Sequence, residues 1–488
     1  MEKIILIGCG PHSKRVYLPA IKEINNFEIA LVVDLESNKD FVNNTLLEHS
    51  FDEILFTDTF FDHIPNDLVS KLNHCVSVNN IKGVIIATEP LVHKLYAQWA
   101  LSLGLNILMD KPISTNVDVV TSLTNAKNIL NDYNDLLNDY RNLQEAKETV
   151  FVINAQRRFH NGFNLVTEKI KEVTNLTNCP VTFIQAYHCD GQWRLPNEII
   201  TQQYHPYCYG YGKASHSGYH IFDIVAQLLK AGFSIEKSPD KMKIMSSFIQ
   251  PNGFIKQLTE QDYIKYFGIE YEGVKVLNDS YLSTIYENYG EIDISSVISI
   301  SKGNDVITNV NVNLLHNGFA GRTWLMPGED LYKGNGRIKH EQYNIQQGPF
   351  QNIQIHSYQA YDKHDTNNGL EDQLGGKNHF DICIFRNPKI ATCSQQPEII
   401  KLSELNSLND NRLIMENVKY KVVREFYEYL VGIRTKENVK SQIDDHLLGV
   451  QIMSGIYCSH INQKINSNSF FEQDIFLKQN EYENNFSS

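Results

Sequence analysis

The chain has 488 residues, of which 42% are hydrophobic and 21% are charged, a composition typical of a soluble globular protein with two or three domains. Its 44 basic and 57 acidic residues give a formal net charge of −13, which argues against non-specific binding to nucleic acid or anionic membranes, because both need a basic face. We find no apolar run long enough for a membrane span, no signal-peptide pattern and no CxxC pair among the eight cysteines, so we expect a cytoplasmic protein with free thiols.

Strand and helix patterns alternate over the first 150 residues. Short apolar runs predict strands at residues 3–7, 28–33, 83–87, 106–109 and 150–154. Helical spacing of apolar residues predicts helices at residues 15–24, 91–103 and 119–149. This alternation is typical of βαβ units, so we predict a doubly covered parallel sheet.

The pattern changes after residue 160, where strand-like alternation becomes more frequent. We predict strands at 181–187, 295–301 and 306–314, and helices at 422–430 and 444–461. Residues 322–376 are rich in Gly, Asn, Gln and His, and we interpret them as long loops or an excursion from the sheet. The fold class is therefore α/β, with a parallel N-terminal domain at 1–158 and an α+β domain with a mostly antiparallel sheet at 159–488.

A glycine-rich turn joins the first strand to the first helix. Its residues Gly8, Cys9, Gly10, Pro11, His12 and Ser13 form a G-x-G-x-x-S variant of the dinucleotide fingerprint. The first glycine permits a tight turn, the second lets the backbone approach a pyrophosphate, and the helix N-terminus offers N–H groups to the anion. We expect the small Ser13 to allow close helix packing and its hydroxyl to add a hydrogen bond to phosphate.

Asp34 ends the second predicted strand, in the position where a carboxylate accepts hydrogen bonds from the adenosine ribose. Its charge would repel a 2′-phosphate, and neither Leu35 nor Glu36 supplies a compensating cation. We therefore predict NAD as the cofactor in preference to NADP. A glycine-rich turn followed by a helix-capping aspartate is the alternative without a ligand.

Two further motifs carry a family resemblance. One strand ends in Ala87-Thr88-Glu89-Pro90-Leu91-Val92-His93, and the next ends in Asp110-Lys111-Pro112. These segments, with Gln156-Arg157-Arg158 and Gly218-Tyr219-His220-Ile221-Phe222-Asp223, resemble the glucose-fructose oxidoreductase, inositol dehydrogenase and rhizopine-catabolism (Gfo/Idh/MocA) family. The match is strong over residues 1–225 and weak over 235–420. The resemblance implies a Rossmann domain, an α/β domain with an open, mostly antiparallel sheet and an active site between them.

The resemblance also implies roles for individual residues. Lys111 corresponds to the family's catalytic lysine, and Asp110 replaces the usual glutamate. The cofactor-binding set would include Thr88, Glu89, Pro90 and His93 besides Asp110, Lys111 and the glycine-rich turn.

Oxidation of an alcohol independently requires a hydride acceptor, a base and a positive charge beside the developing alkoxide. His220 is the best base because an imidazole titrates near neutrality, and Asp223 lies three residues later on the same helical face. Many family members have Asp four residues before this histidine, where this chain has His216. Either His216 takes that role, or the chemistry is altered, or it is lost.

Several other residues have open interpretations. His205, Cys208, His216 and His220 share one segment, but their spacing matches no standard zinc pattern, so we predict no metal site. Arg157 or Arg158 is a candidate for binding a substrate anion or for a structural ion pair. Candidate walls of a sugar pocket are Trp193, Tyr204, Tyr207, Tyr209 and Tyr211. No role is assigned to Arg322, Trp324, Arg337, His340 and Glu341.

These features predict an NAD-dependent oxidoreductase acting on a secondary alcohol of a sugar-like or cyclitol substrate. Two alternatives remain: a redox-assisted glycosidase and a non-catalytic NAD-binding protein. We expect a homo-oligomer and no nucleic-acid or membrane partner. The surplus length in 120–150, 235–290 and 322–376 is expected to shape substrate access or subunit contacts.

Overall fold

The computed structural model describes residues 2–24, 26–202, 206–316, 320–321, 339–359, 378–390, 396–405, 414–465 and 470–475. The chain divides into two compact units, each built from separate segments. The first comprises Met1–Asn116, Asn128–His160 and Asp410–Val450, and the second comprises Val117–Lys127, Asn161–Asn409 and Gln451–Ser488. The predicted boundary at residue 158 lies close to the change of unit at His160, but no single boundary describes units that are discontinuous.

A six-stranded parallel sheet forms the centre of the first unit. Its strands are β1 (Glu2–Ile7), β2 (Phe27–Leu35), β3 (Phe51–Thr57), β4 (Gly83–Ile86), β5 (Asn106–Met109) and β6 (Phe151–Ile153). Their order, β3-β2-β1-β4-β5-β6, is that of a Rossmann fold, which confirms the predicted fold class. Strand β3 was not predicted, because Asp52 and Glu53 of this edge strand interrupt the apolar run.

Helices cover the faces of this sheet. They are Pro11–Arg15, Tyr17–Ile24, Lys39–Leu46, Asn66–Asn79, His93–Ser102, Leu123–Ala146 and Ile414–Leu430. Short 3₁₀ turns are formed by Glu36–Asn38, Pro90–Val92, Gln156–Phe159, Lys436–Asn438 and Ile443–Asp445.

The late helix Ile414–Leu430 completes the core of the first unit. Its residues Val418, Val422 and Phe426 repeat every four positions, so they lie on one helical face, and all three are buried in the same cluster as Leu6 of β1. Full burial of such side chains stabilises the fold by about 1.5–3 kcal/mol each. The Rossmann unit therefore depends on a segment that lies more than half of the chain away from its first strand.

The second unit is built on a nine-stranded mixed sheet in the order β16-β15-β14-β13-β7-β11-β10-β9-β17. The strands of this unit are β7 (Phe183–Cys189), β8 (Gln192–Trp193), β9 (Lys241–Ile249), β10 (Asp293–Lys302), β11 (Asp305–Leu315), β12 (Ala320–Gly321), β13 (Lys339–Gln347), β14 (Gln351–Gln359), β15 (Asn378–Arg386), β16 (Glu398–Ile400) and β17 (Phe471–Asp474). Within the nine-stranded sheet, β7 and β11 pair in parallel and the other neighbours pair antiparallel. The prediction of a mostly antiparallel second sheet is confirmed. Strands β8 and β12 form a separate parallel pair.

The described helices of the second unit range from 4 to 18 residues in length. They are Asn161–Thr177, Pro196–Thr201, Tyr219–Ala231, Pro251–Gln257, Glu260–Phe267, Ile269–Val274, Asp279–Ile285, Leu402–Leu405 and Leu447–Lys464. A π-helical turn, Ala214–Gly218, leads directly into Tyr219–Ala231, and 3₁₀ turns occur at Tyr207–Tyr209 and Tyr286–Asn288.

The interpretation of residues 322–376 as loops is wrong for 339–359, which form the hairpin of β13 and β14. Polar side chains on the buried face concealed the two-residue period from sequence inspection. Gln347, for example, is buried because its amide donates to Thr174 Oγ1 at 2.8 Å and to the Cys179 carbonyl at 2.9 Å. In the described part of the chain, no helix combines the length and apolar character needed to cross a membrane.

Candidate active site

The turn after β1 has the backbone geometry of a dinucleotide-binding loop. Gly8 has a φ of +92°, and a Cβ atom there would lie 2.5 Å from the Ala87 carbonyl oxygen, so a side chain does not fit. At Gly10, a Cβ would meet no atom of the described residues within 4 Å. Gly10 also caps the helix that begins at Pro11. The backbone is thus accessible where a pyrophosphate would approach.

Ser13 stabilises this turn internally. Its hydroxyl is fully buried and donates a 2.6 Å hydrogen bond to the Gly8 carbonyl oxygen. The hydroxyl proton is therefore used within the protein, contrary to the expectation that it would bind a phosphate. Ser13 is completely buried, as expected for a small residue that allows close helix packing.

Asp34 lies at the carboxyl end of β2, beside the glycine-rich turn. Its carboxylate accepts hydrogen bonds from the backbone N–H of Cys9 at 2.6 Å, from the N–H of Leu35 at 2.7 Å and from the Asn38 amide at 2.9 Å. A carboxylate has about four acceptor positions, so one remains for a ribose hydroxyl. Asn38, which lies four residues after Asp34, was not predicted to contribute to this site.

Asp110, directly after β5, is held by a buried polar cluster. Oδ1 accepts hydrogen bonds from the Tyr17 hydroxyl and from the Asn154 amide, the latter at 2.9 Å, and lies 3.6 Å from His12 Nε2. Burial opposes ionisation, but His12 and these two donors lower the pKa of Asp110. Burial lowers the pKa of His12 to about 4, so the imidazole is neutral near pH 7. Tyr17 and Asn154 have no signature in the sequence, because they lie far from Asp110 along the chain.

His93 joins two turns at the same edge of the sheet. The ring is fully buried, with Nδ1 2.8 Å from the Pro112 carbonyl oxygen and Nε2 3.0 Å from the Thr88 carbonyl oxygen. Both nitrogens are thus directed at the protein backbone, which leaves His93 no ring nitrogen for the cofactor contact expected from sequence. The ring lies between Thr88, after β4, and the turn that contains Lys111. Because burial lowers the pKa of His93, the imidazole is neutral near pH 7 and donates its single N–H to one of these two carbonyl oxygens.

The remaining predicted cofactor residues lie at this edge too. Thr88 and Glu89 are half-buried and Pro90 is buried, following β4. Because β1 and β4 are neighbours where the strand order reverses, the two turns border the crevice in which open α/β sheets bind ligands. Lys111 is half-buried and follows Asp110, and its peptide bond to Pro112 is cis.

The second unit holds the other predicted catalytic residues. His216 lies in the π-helical turn, and His220 and Asp223 lie in the first turns of helix Tyr219–Ala231; all three are buried. The His216 ring makes edge contacts with Tyr207 and Tyr211, with centroids 5.2 and 5.5 Å apart. π-Helical turns occur frequently at functional sites because they redirect side chains.

The structure adds a buried ionisable cluster that sequence analysis missed. Lys213, 1% exposed, donates to Asp190 Oδ2 at 2.5 Å and to His188 Nδ1 at 3.3 Å. His316 Nδ1 lies 3.5 Å from Asp190 Oδ2, and Glu341 Oε1 lies 3.8 Å from His188 Nε2. These residues come from four separate segments, so no local motif could have revealed them.

Another buried carboxyl group contacts Ala214, the residue after Lys213. Glu291 is fully buried, and Oε1 accepts hydrogen bonds from the Ala214 N–H at 2.6 Å and the Tyr457 hydroxyl at 2.9 Å. Burial raises the pKa of Glu291 to about 7. The carboxyl group thereby anchors the start of the π-helical turn that carries His216.

The other residues considered in the sequence are the arginine pair after β6 and several residues of the second unit. Arg158 forms an ion pair with Asp445 and donates to His446 Nδ1 at 3.2 Å, which matches the structural alternative; Arg157 is buried. His340 stacks on Tyr187 at 4.9 Å. Tyr204, His205, Arg322, Trp324 and Arg337 lie outside the described residues.

The aromatic candidates differ in exposure. Tyr207 and Tyr211 are buried, Tyr209 is half-buried and stacks on Tyr211 at 6.3 Å, and half-buried Trp193 donates to the Tyr263 hydroxyl at 3.1 Å. Within the described residues, no group of three His, Cys, Asp or Glu side chains has metal-binding geometry, and Cys208 is exposed.

The N-terminal part of the chain is similar to a known family. Residues 3–131 match the family model described as an oxidoreductase family with an NAD-binding Rossmann fold, GFO_IDH_MocA. No curated protein matches the chain in sequence.

Solved structures share the whole fold. An oxidoreductase from Agrobacterium radiobacter, in complex with NAD+, L-tartaric acid and magnesium, is 12% identical over 97% of this chain and 98% of that chain, with a TM-score of 0.54. GenD2 from gentamicin A biosynthesis, in complex with NAD, is 11% identical over 98% and 97%, with a TM-score of 0.55. An aldose-aldose oxidoreductase from Caulobacter crescentus, complexed with glycerol, is 11% identical over 97% and 99%, with a TM-score of 0.53. At these identities the likeness concerns the fold.

Proposed function

We propose that the chain belongs to the Gfo/Idh/MocA family of NAD-binding oxidoreductases, whose model matches residues 3–131, and that it transfers a hydride between nicotinamide and a secondary alcohol or ketone of a sugar, sugar derivative or cyclitol. The observation that carries this proposal is the common edge of the parallel sheet. The open turn at Gly10, the ribose-binding carboxylate of Asp34 and the Asp110-Lys111 pair all follow the carboxyl ends of its strands.

The protein's residues divide the work of binding and proton transfer. The turn from Gly8 to Ser13 would hold the pyrophosphate through its backbone N–H groups, and Asp34 would hold the adenosine ribose. When bound, the nicotinamide accepts the hydride from the substrate carbon. Lys111 would place its ammonium beside the substrate oxygen and lower the pKa of that hydroxyl group.

His220 is the proposed proton acceptor in alcohol oxidation and the donor in the reverse reaction. Asp223 and His216 are proposed to orient the imidazole or a substrate hydroxyl. His216 cannot supply the negative charge that an aspartate would, so the proton transfer depends on the imidazole of His220 itself.

Asp34 favours NAD over NADP in this proposal. Its carboxylate is held beside the turn by Cys9 and Leu35, so it cannot swing away from a ribose phosphate without breaking two backbone hydrogen bonds. A 2′-phosphate at this position would meet an immobile negative charge.

Replacement of Lys111 tests the proposal. We expect Lys111→Ala to lower kcat for polyol oxidation at least 100-fold while the Kd for NADH changes less than threefold. Lys82→Ala, at the amino end of β4, is the matched control because Lys82 is exposed and at the opposite edge. Full activity of Lys111→Ala would overturn the role of the lysine.

Product analysis separates the two alternatives. Release of an aglycone without net NADH formation would indicate a redox-assisted glycosidase. Tight NADH binding without turnover over a broad panel of sugars and cyclitols would indicate a non-catalytic NAD-binding protein.

We also propose a cytoplasmic homo-oligomer. The cysteines within the described residues are all free, which supports a reducing compartment. Light scattering coupled to size-exclusion chromatography measures the oligomeric state directly.

A further inference from the structure

The parallel pair in the second sheet ends in polar residues. Asp190 follows β7 and His316 follows β11, and the Asp190 N–H donates to the Leu315 carbonyl at 3.1 Å. Parallel pairing resumes in β8 and β12, and Arg194 is the next residue after β8. Asp190, His316 and Arg194 therefore border an interruption between two parallel ladders.

Asp190 sets the orientation of His316. Burial opposes ionisation of Asp190, but the Lys213 ammonium and His316 hold its pKa well below the usual range. The anionic carboxylate lies 3.5 Å from His316 Nδ1. The proton of the neutral imidazole thus belongs on Nδ1, and Nε2 carries the lone pair.

The other side of His316 has an unused acceptor. The residue is 7% exposed, its backbone N–H donates to Asp293 Oδ1 at 2.7 Å, and its buried Nε2 has no hydrogen-bond partner among the described residues. Burial lowers the pKa of His316 to about 4, with the Asp190 contact opposing and the Arg194 charge adding to that shift. A buried acceptor without a partner is costly and indicates a missing donor.

Arg194 has a buried hydrogen-bond donor without an acceptor. It is 9% exposed, and its buried Nε–H has no hydrogen-bond partner among the described residues. The Tyr207 ring lies 6.3 Å from that of His316, and burial raises the pKa of the Tyr207 hydroxyl group while the Arg194 charge opposes this shift. The unused donor of Arg194 and the unused acceptor of His316 thus belong to side chains that are close enough to interact electrostatically.

We propose that Arg194 and His316, with His316 oriented by Asp190, bind hydroxyl groups of an uncharged polyhydroxy substrate. A hydroxyl group can accept from Arg194 Nε–H, and a hydroxyl group can donate to His316 Nε2, so the hydroxyl groups of one polyol can satisfy both atoms. A carboxylate can accept from Arg194 but has no proton to donate to His316 Nε2, so it would leave that buried acceptor unsatisfied. The inference rests on the proposed function and narrows its substrate class to neutral polyols.

Binding by the NADH-loaded full chain tests this subsite without requiring turnover. The probes are D-glucose and myo-inositol, with D-glucuronate as the charged counterpart of glucose, and affinity is measured by isothermal titration calorimetry. We expect at least one neutral probe to bind about tenfold or more tightly than D-glucuronate. Absence of binding by both neutral probes, or a preference for D-glucuronate, would overturn the proposal.

Two substitutions of His316 separate hydrogen bonding from folding. His316→Asn keeps an amide donor near the Nδ1 position but removes the acceptor at Nε2, whereas His316→Gln can place an oxygen near Nε2. We expect the affinity for the neutral probe to fall about tenfold in His316→Asn and in Arg194→Gln, with partial retention in His316→Gln. The control is His356→Gln in β14, which should bind normally, and NADH affinity should be unchanged in all variants.

Turnover distinguishes failure of this subsite from failure of the proposed function. Probe binding that depends on His316 without any NADH formation would leave the subsite standing and overturn the dehydrogenase. NADH formation in the wild type with an unchanged KM in folded His316→Asn would overturn the subsite and leave the dehydrogenase standing.

Discussion

The carboxylate of Asp34, at the end of β2, accepts a 2.6 Å hydrogen bond from the backbone N–H of Cys9 in the glycine-rich turn. The same side chain accepts from Leu35 at 2.7 Å. One carboxylate therefore fixes the glycine-rich turn and, in the proposed binding mode, would also face the adenosine ribose. The position of the turn and the proposed preference for NAD over NADP therefore depend on the same carboxylate.

Substitution of Asp34 should change cofactor selectivity. Asp34→Asn keeps an oxygen acceptor for Cys9 but removes the charge, so we expect the ratio of the NADPH and NADH dissociation constants to fall about tenfold. Asp34→Ala should also weaken NADH binding, because the turn loses its hydrogen bond. Fluorescence titration with both nucleotides measures the ratio, and an unchanged ratio in Asp34→Asn would contradict the ribose contact.

The two glycines of the turn should respond differently to the same added methyl group. Gly8→Ala forces a Cβ to within 2.5 Å of the Ala87 carbonyl at a φ of +92°, so we expect a loss of several kcal/mol in folding stability. Gly10→Ala meets no described atom within 4 Å, so it should fold normally but bind NADH at least tenfold more weakly. Thermal unfolding and NADH titration of both variants check this contrast. Equal loss of stability in the two would refute it.

We expect His93 to affect the position of Lys111, because its ring contacts the carbonyl oxygen of Pro112 in the same turn. Asparagine can place its amide near the Nδ1 position and retain the bond to the Pro112 carbonyl, whereas glutamine can reach the Thr88 carbonyl instead. We therefore expect His93→Gln to lower kcat more than His93→Asn, because only the latter keeps the turn beside Lys111 fixed. Steady-state kinetics with matched NADH-binding and melting measurements test the order. A larger loss in His93→Asn would contradict it.

Glu291 should make the stability of the second unit depend on pH. Its pKa is about 7 in the folded chain, against an ordinary value of 4.5, because burial favours the neutral form. The folded state therefore holds the proton to higher pH than the unfolded state. The contribution of Glu291 to the free energy of unfolding should be greatest below pH 4.5. It should decrease by up to about 3 kcal/mol as the pH rises to 7.

The isosteric variant Glu291→Gln removes this dependence. We expect it to be more stable than the wild type at pH 8 and nearly equal to it at pH 5, as measured by urea unfolding. Glu272→Gln is the control, since Glu272 is exposed in the same unit. The raised pKa would be excluded if the stability of the wild type, relative to that of Glu291→Gln, did not fall between pH 5 and pH 8.

Local features of the fold could be predicted because each depends on neighbouring residues. The runs before Gly8 and Asp110 are strands whose side chains are apolar on both faces, as expected for a parallel sheet covered by helices. The edge strand β3 and the hairpin of β13 and β14 were missed, because charged or amide side chains conceal their periodicity. Polar groups enter a buried face only when distant partners satisfy them, and a sequence does not display those partners.

By itself, the sequence determined the glycine-rich turn, the acidic end of β2 and the Asp110-Lys111-Pro112 turn, since the requirements of a tight turn and a strand end act within a few residues. Only the tertiary structure decided what surrounds them. It brought Tyr17 and Asn154 to Asp110, and it placed Asp190 beside His316 at the ends of two parallel strands. Burial and charge pairing depend on which segments fold together, so these groups acquire their chemistry only when the chain is folded.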